Sequence, residues 1–250
     1  MLHETEPAPF TTHRPSRHGP VLLTCEHAGR EIPASLGDLG VPAAEMERHI
    51  AWDIGALELA RALSETLQAR LVASRYSRLV VDCNRSLRAP DLMPAVSDGT
   101  HVPANRAIEA EDRQRRIDAL HRPYHQAIED EIDSDRPLLL VAVHSFTPRM
   151  NGSDRPWHCG FLANRRPQHA EKLLAAVAQR APALRLAVNE PYTVDDISDY
   201  TIPVHGEQGG IPHVLVEMRN DQLTDDRRFA EWVTLLTAAI GDVVDELTKE

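Results

Sequence analysis

Lysine is almost missing from this chain: it stands only at 172 and 249, so the 27 basic side chains are nearly all arginine. Biased coding composition accounts for that preference. No run of basic residues occurs anywhere, and the formal net charge is -11. That excludes a protein that coats nucleic acid, which needs a basic face against the phosphates. A local arginine pocket for a small anion remains compatible with the overall sign. Cysteine is scarce too, with three residues at 25, 83 and 159 and no Cys-x-x-Cys pair. An odd number so spaced supports neither a disulfide framework nor a cysteine-rich zinc knuckle. No apolar run approaches the ~20 residues of a membrane helix. Met1 to Gly19 lacks the apolar centre of a secretory signal. The expectation is a soluble, cytoplasmic protein.

What is present suits a globular enzyme. Of 250 residues, 42% are hydrophobic and 26% charged, and neither a linker nor an internal repeat interrupts the pattern. We expect a flexible segment over 1–19 and one domain over 20–250. Apolar runs predict strands at Val21 to Cys25, Leu71 to Ser74, Leu79 to Val81, Leu138 to Val143, Gly160 to Ala163, Leu184 to Val188 and Val214 to Val216. The residues from His27 to Glu47 hold Gly29, Pro33, Gly37, Gly40 and Pro42 and read as a long loop. Helical periodicity starts with Asp53 as an N-terminal residue. It returns from Asn105 to about Asp133, with a kink near Pro123, from Gln168 to Arg180, and from Asp225 to about Leu247. Alternation of this kind predicts a three-layer α/β/α fold around a mostly parallel mixed sheet.

In such sheets, functional residues gather where the strands end and the loops begin. His27, Asn84, His144 and Glu217 each lie at or just past the end of a predicted strand. Each alone reads as a satisfied structural residue; four together mark a site. Two imidazoles and a carboxylate suit a metal, an Asn-Arg pair suits a substrate carboxylate, and a further Glu can handle a proton. That is the inventory of metal-assisted amide hydrolysis.

The segments Val81 to Arg85, Val143 to Phe146 and Val216 to Asn220 resemble, in order and character, active-site segments of the zinc carboxypeptidases. Over nearly the whole chain the pattern is closer to the N-formylglutamate amidohydrolase family. The matching stretches are Glu26-His27-Ala28-Gly29, Ser77 to Arg85, His144-Ser145-Phe146, Asn189-Glu190-Pro191-Tyr192 and Glu217-Met218-Arg219. Ser77 to Arg85 is long enough to be specific. The resemblance implies a zinc-exopeptidase-like fold, one zinc per chain and an anionic small-molecule substrate, with N-formylglutamate leading. It makes His27 and His144 metal ligands and Glu217 the general base. Where the carboxypeptidase pattern has a third ligand, this chain has Arg30. Asp53, where the first helix opens, is the favoured replacement, and Glu31 the alternative.

Asn84 and Arg85 would hold a substrate carboxylate, since a guanidinium fork pairs with it bidentately. Arg78 would polarise the scissile carbonyl or grip a second carboxylate. His205, in a glycine-containing loop, could donate to an oxyanion or a leaving amine. His49 stands four residues before Asp53 and could orient it. His121 and His125 share a helix face, yet no third ligand lies near them, and a hydrogen-bonded pair is the simpler reading. A carboxypeptidase-like hydrolase of short peptides shares these roles. Two other classes stay open: a cysteine hydrolase using Cys25 or Cys159, and a non-catalytic metal- or carboxylate-binding protein, against which Glu217 argues.

Overall fold

The computed structural model describes residues 1–249. In chain order the elements begin with β1 (Phe10–His13), β2 (Val21–Cys25), α1 (Ala56–Leu67) and β3 (Arg70–Ser74). A two-residue hairpin follows, β4 (Val96–Ser97) with β5 (Thr100–His101), then α2 (Ala110–Arg116) and α3 (Arg122–Ser134). The middle of the chain holds β6 (Leu139–Phe146), a second hairpin of β7 (Arg149–Met150) and β8 (Ser153–Asp154), and β9 (Cys159–Leu162). Last come α4 (Gln168–Arg180), β10 (Leu186–Val188), β11 (His213–Arg219) and α5 (Asp226–Leu247).

Seven strands form one sheet in the order β1-β3-β2-β6-β11-β9-β10. The central strands β3, β2, β6 and β11 run parallel, while β1, β9 and β10 run the other way. All eight residues of β6 and all five of β2 are buried, as apolar runs covered on both faces require. Their side chains divide with the two-residue period of a strand. Leu23, Cys25, Val141, Val143, Val214 and Val216 face α1, α4 and α5, whereas Leu22 and Leu140 face Tyr124, Ala127 and Ile128 of α3. This is the expected three-layer α/β/α arrangement with a mixed, mostly parallel sheet.

Three expectations need correcting. Leu79 to Val81 is apolar because it is buried beneath loops with Leu39, Ile50, Leu92 and Ile117, and it forms a turn instead of a strand. Asp53 precedes the first helix: α1 begins at Ala56, after Gly55, whose φ of 82° suits glycine. Part of the N-terminal segment belongs to the sheet, since Phe10 to His13 pair with Leu71 to Ser74. The perturbation near Pro123 takes a definite form, a π-helical turn from Ile117 to His121 leading into α3.

Candidate metal and substrate site

Register puts the site together. Glu217 of β11 pairs with His144 of β6, so both point to the same face, opposite Val143 and Val216. On the next strand β2 ends at Cys25, and the chain turns so that His27 comes back over the same edge. That turn needs Gly29, because a Cβ there would sit 1.7 Å from the Arg75 carbonyl oxygen. The Asp53 amide donates to the His27 carbonyl at 2.9 Å, which ties the loop ahead of α1 to the end of β2.

Three buried side chains then converge. His144 Nδ1 lies 2.9 Å from Asp53 Oδ2 and 3.1 Å from His27 Nδ1, and His27 Nδ1 lies 3.3 Å from the same Asp53 oxygen. Ligand atoms held about 2.0–2.1 Å from a tetrahedral zinc stand about 3.3–3.4 Å apart. Two imidazole nitrogens facing each other beside one carboxylate oxygen fit a shared cation. Each histidine's other nitrogen meets a carboxylate: His27 Nε2 donates to Asp82 Oδ1 at 2.6 Å, and His144 Nε2 stands 2.8 Å from Glu26 Oε2. Backing of this kind fixes ring orientation and tautomer in metal sites. His27, Asp53 and His144 form the one group of metal-ligating side chains found among the described residues. Glu31 lies apart, half-exposed and paired with Arg75.

The electrostatics follow from this crowding. Burial favours neutral forms, yet the contacts to Asp53 and Glu26 outweigh it and hold the His144 imidazolium well above its ordinary range. Burial likewise opposes the Asp53 and Asp82 charges, but the histidines, and Arg78 for Asp82, keep both carboxyls below their ordinary range. Glu26 comes down to about 2 because His144 outweighs its burial. Glu217 goes the other way. Burial, with the Asp53 and Asp199 charges adding to it, pushes its carboxyl up to about 8, and its Oε2 is buried with no hydrogen-bond partner among the described residues.

A cavity of about 660 Å³ opens over this group, and Arg78, Asn84, Arg85 and Glu217 line it together with His27, Asp53 and His144. Asn84 donates to Asp199 Oδ1 at 3.1 Å and accepts from the Tyr200 and Thr201 amides. Arg85 donates to Asp91 Oδ2 at 3.1 Å and to the Ser198 carbonyl. Arg78 bridges two carboxylates: Nε and Nη2 meet Asp82 Oδ2 at 3.2 and 3.0 Å, and Nη1 meets Asp53 Oδ1 at 3.2 Å. It holds the carboxylates around the metal-ligating group while lining the cavity.

Several expected roles move. His205 is not in the cavity wall; it is buried and shares a 2.9 Å hydrogen bond with His125. His49 pairs with Asp98 at 3.4 Å, and Asp53 is oriented instead by Arg78, His144 and the Ser145 amide. Glu26 lies beneath the site on His144. Cys25 and Cys159 are buried, and burial raises their thiols, which removes both as nucleophiles. The backing roles of Asp82 and Glu26 were missed, although Glu26 adjoins His27 and Asp82 stands two positions before Asn84.

The match to known proteins agrees with this geometry. Residues 19–224 match the family model described as N-formylglutamate amidohydrolase. The chain belongs to the N-formylglutamate amidohydrolase family. A curated N-formylglutamate deformylase from Pseudomonas putida is 30% identical over 142 residues, which is 50% of this chain and 51% of that protein. The chain thus spans about half the length of the curated relative it matches. The crystal structure of a gene product from Agrobacterium tumefaciens superposes with a TM-score of 0.92 at 33% identity over 99% of both chains. An N-formylglutamate amidohydrolase from Ralstonia eutropha JMP134 shares the fold of this family member at a TM-score of 0.65 and 18% identity, covering 97% of this chain and 99% of that one.

Proposed function

We propose that the protein hydrolyses the amide bond of a small N-acyl amino acid, N-formylglutamate first among them, with one zinc ion held by His27, Asp53 and His144. The observation that carries this reading is the triangle of His27 Nδ1, His144 Nδ1 and Asp53 Oδ2, with both outer imidazole nitrogens meeting carboxylates. Bound zinc would lower the pKa of a water molecule toward ~7 and polarise the acyl oxygen. The chain's own residues do the rest. Glu217, aligned with His144 and free at Oε2, takes the proton of the attacking water and returns it to the departing amine nitrogen. Asn84 and Arg85 position the substrate through a carboxylate. Formate and glutamate are the products if the leading substrate is right.

A panel of N-formyl and N-acetyl amino acids assayed with the zinc-loaded protein tests the reading. Turnover of N-formylglutamate above the other members is expected, and no turnover of any member would overturn it. Arg85→Ala should weaken substrates with a free carboxylate by roughly 1.5 to 3 kcal/mol, the scale of a charge-assisted hydrogen bond. It should leave the corresponding amide nearly unaffected.

A further inference from the structure

The cavity wall is short of free positive charge. Its carboxylates, Asp91, Asp98, Asp195 and Asp199 among them, outnumber the two arginines, Arg78 and Arg85. Arg78 already faces two buried carboxylates, Asp53 and Asp82. A substrate with two carboxylates therefore needs a positive field from another residue.

Arg155 supplies one. It is 8% exposed, and among the described residues it makes no ion pair. Its guanidinium lies between two rings, 5.6 Å from the centre of Phe146 and 5.2 Å from that of Tyr192. Nη2 reaches Thr147 Oγ1 at 3.3 Å, and Nη1 donates to the Tyr192 hydroxyl at 2.6 Å. A buried cation without a counter-ion is costly, and ring faces offset only part of that.

Tyr192 carries this charge to the substrate side, because it lines the cavity. With Arg155 donating to the phenolic oxygen, the phenolic proton must point elsewhere. Among the described residues its one acceptor is the Met150 sulfur at 3.9 Å, a weak one. Burial and the Glu217 charge raise this phenol above its ordinary value, so it keeps its proton. The result is a neutral donor with a cation behind it. Tyr192 is 41% exposed, whereas His27, Asp53 and His144 are 2–3% exposed. Its ring thus sits at the open side of the cavity, while the metal-ligating group lies at the buried side.

We propose that Tyr192, backed by Arg155 as a positioning residue, receives the second carboxylate of a dicarboxylic substrate, the first being held by Asn84 and Arg85. This rests on the hydrolase reading above, and the test separates the two. Tyr192→Phe and Arg155→Met are compared with the parent on N-formylglutamate and N-formylglutamine. Tyr192→Phe should raise KM for N-formylglutamate by about tenfold or more with kcat little changed, and should leave N-formylglutamine nearly untouched. Arg155→Met should act in the same direction, and Arg155→Lys should restore part of the loss. Equal losses on both substrates, or a lower kcat at constant KM, would overturn the proposal. Calorimetric binding of glutarate and of its monoamide to the zinc-loaded protein needs no turnover. A preference for glutarate that Tyr192→Phe abolishes supports the proposal even if no acyl amino acid is hydrolysed. A preference absent from the parent, or kept by the variant, sinks it.

Discussion

Two groups of buried histidines lie close together in this molecule, and they behave in opposite ways. His27 and His144 each face a carboxylate with one nitrogen and the Asp53 oxygen with the other. His121, His125 and His205 are as deeply buried but face backbone and one another: His121 Nε2 meets the Arg85 carbonyl at 3.1 Å, and His125 Nε2 meets the Cys83 carbonyl at 2.7 Å. Burial pushes the second group down, His205 to about 4, while carboxylates override burial and raise His144. What a buried histidine can do is set by what stands behind it. The acid-backed pair, with Asp53, is a group that could hold a metal ion, whereas the neutral group clamps the carbonyls on either side of Asn84.

The largest effects should come from breaking the first group. His144→Ala should lose most of its zinc in elemental analysis, and Glu217→Gln should keep zinc while kcat falls by roughly two or more powers of ten. Near-normal turnover in Glu217→Gln would move the proton transfer elsewhere. A metal-free protein with full hydrolase activity would remove the zinc reading altogether.

Much of this was legible in the sequence because strand ends are marked by apolar runs that stop at a polar residue. That signal located His27, His144 and Glu217, whose strands β2, β6 and β11 lie side by side. It was silent on partners distant in sequence. Nothing in the residues around His205 shows that α3 covers it, and nothing around Arg155 shows that Tyr192, thirty-seven positions on, stacks over it. Leu79 to Val81 misled for a related reason: burial makes an apolar run whether a sheet or a layer of loops does the covering. Asp82 was visible as a charge, but its role depends on a contact with His27, fifty-five positions earlier in the chain.

The carboxylates behind the histidines give a sharper, smaller test. Asp82→Asn should keep the fold and weaken zinc binding by about 10- to 100-fold, the usual scale for such backing groups. Competition with a chelator measures it. Unchanged affinity would mean that the 2.6 Å contact between His27 and Asp82 serves the loop alone.

The neutral group should answer in stability and not in metal content. His125→Phe leaves the Cys83 carbonyl and the His205 ring unpaired, at a cost of about 1–3 kcal/mol in denaturant unfolding, with zinc still bound. Zinc loss in this variant would erase the distinction between the groups.

The smallest effect is on pH dependence, and its sign separates the two groups. His205 and His125 have folded values below the ordinary 6.5, so they take up protons more readily once unfolded. Their contribution is present above about pH 6.5 and is lost as the pH falls toward the folded value of about 4 for His205. His144 in the metal-free protein has the reverse sign: its contribution is present below its unfolded value and is lost as the pH rises through its raised folded value. Asp199, pushed up to about 6 by burial, opposes the acid loss, so the parent slope is a sum and the variant difference is the clean quantity. Thermal unfolding of the metal-free protein from pH 7 to 4 should show a shallower fall in Tm for His205→Gln than for the parent. Parallel curves would mean that His205 is not held neutral by its surroundings, and the contrast between the two histidine groups would then rest on geometry alone.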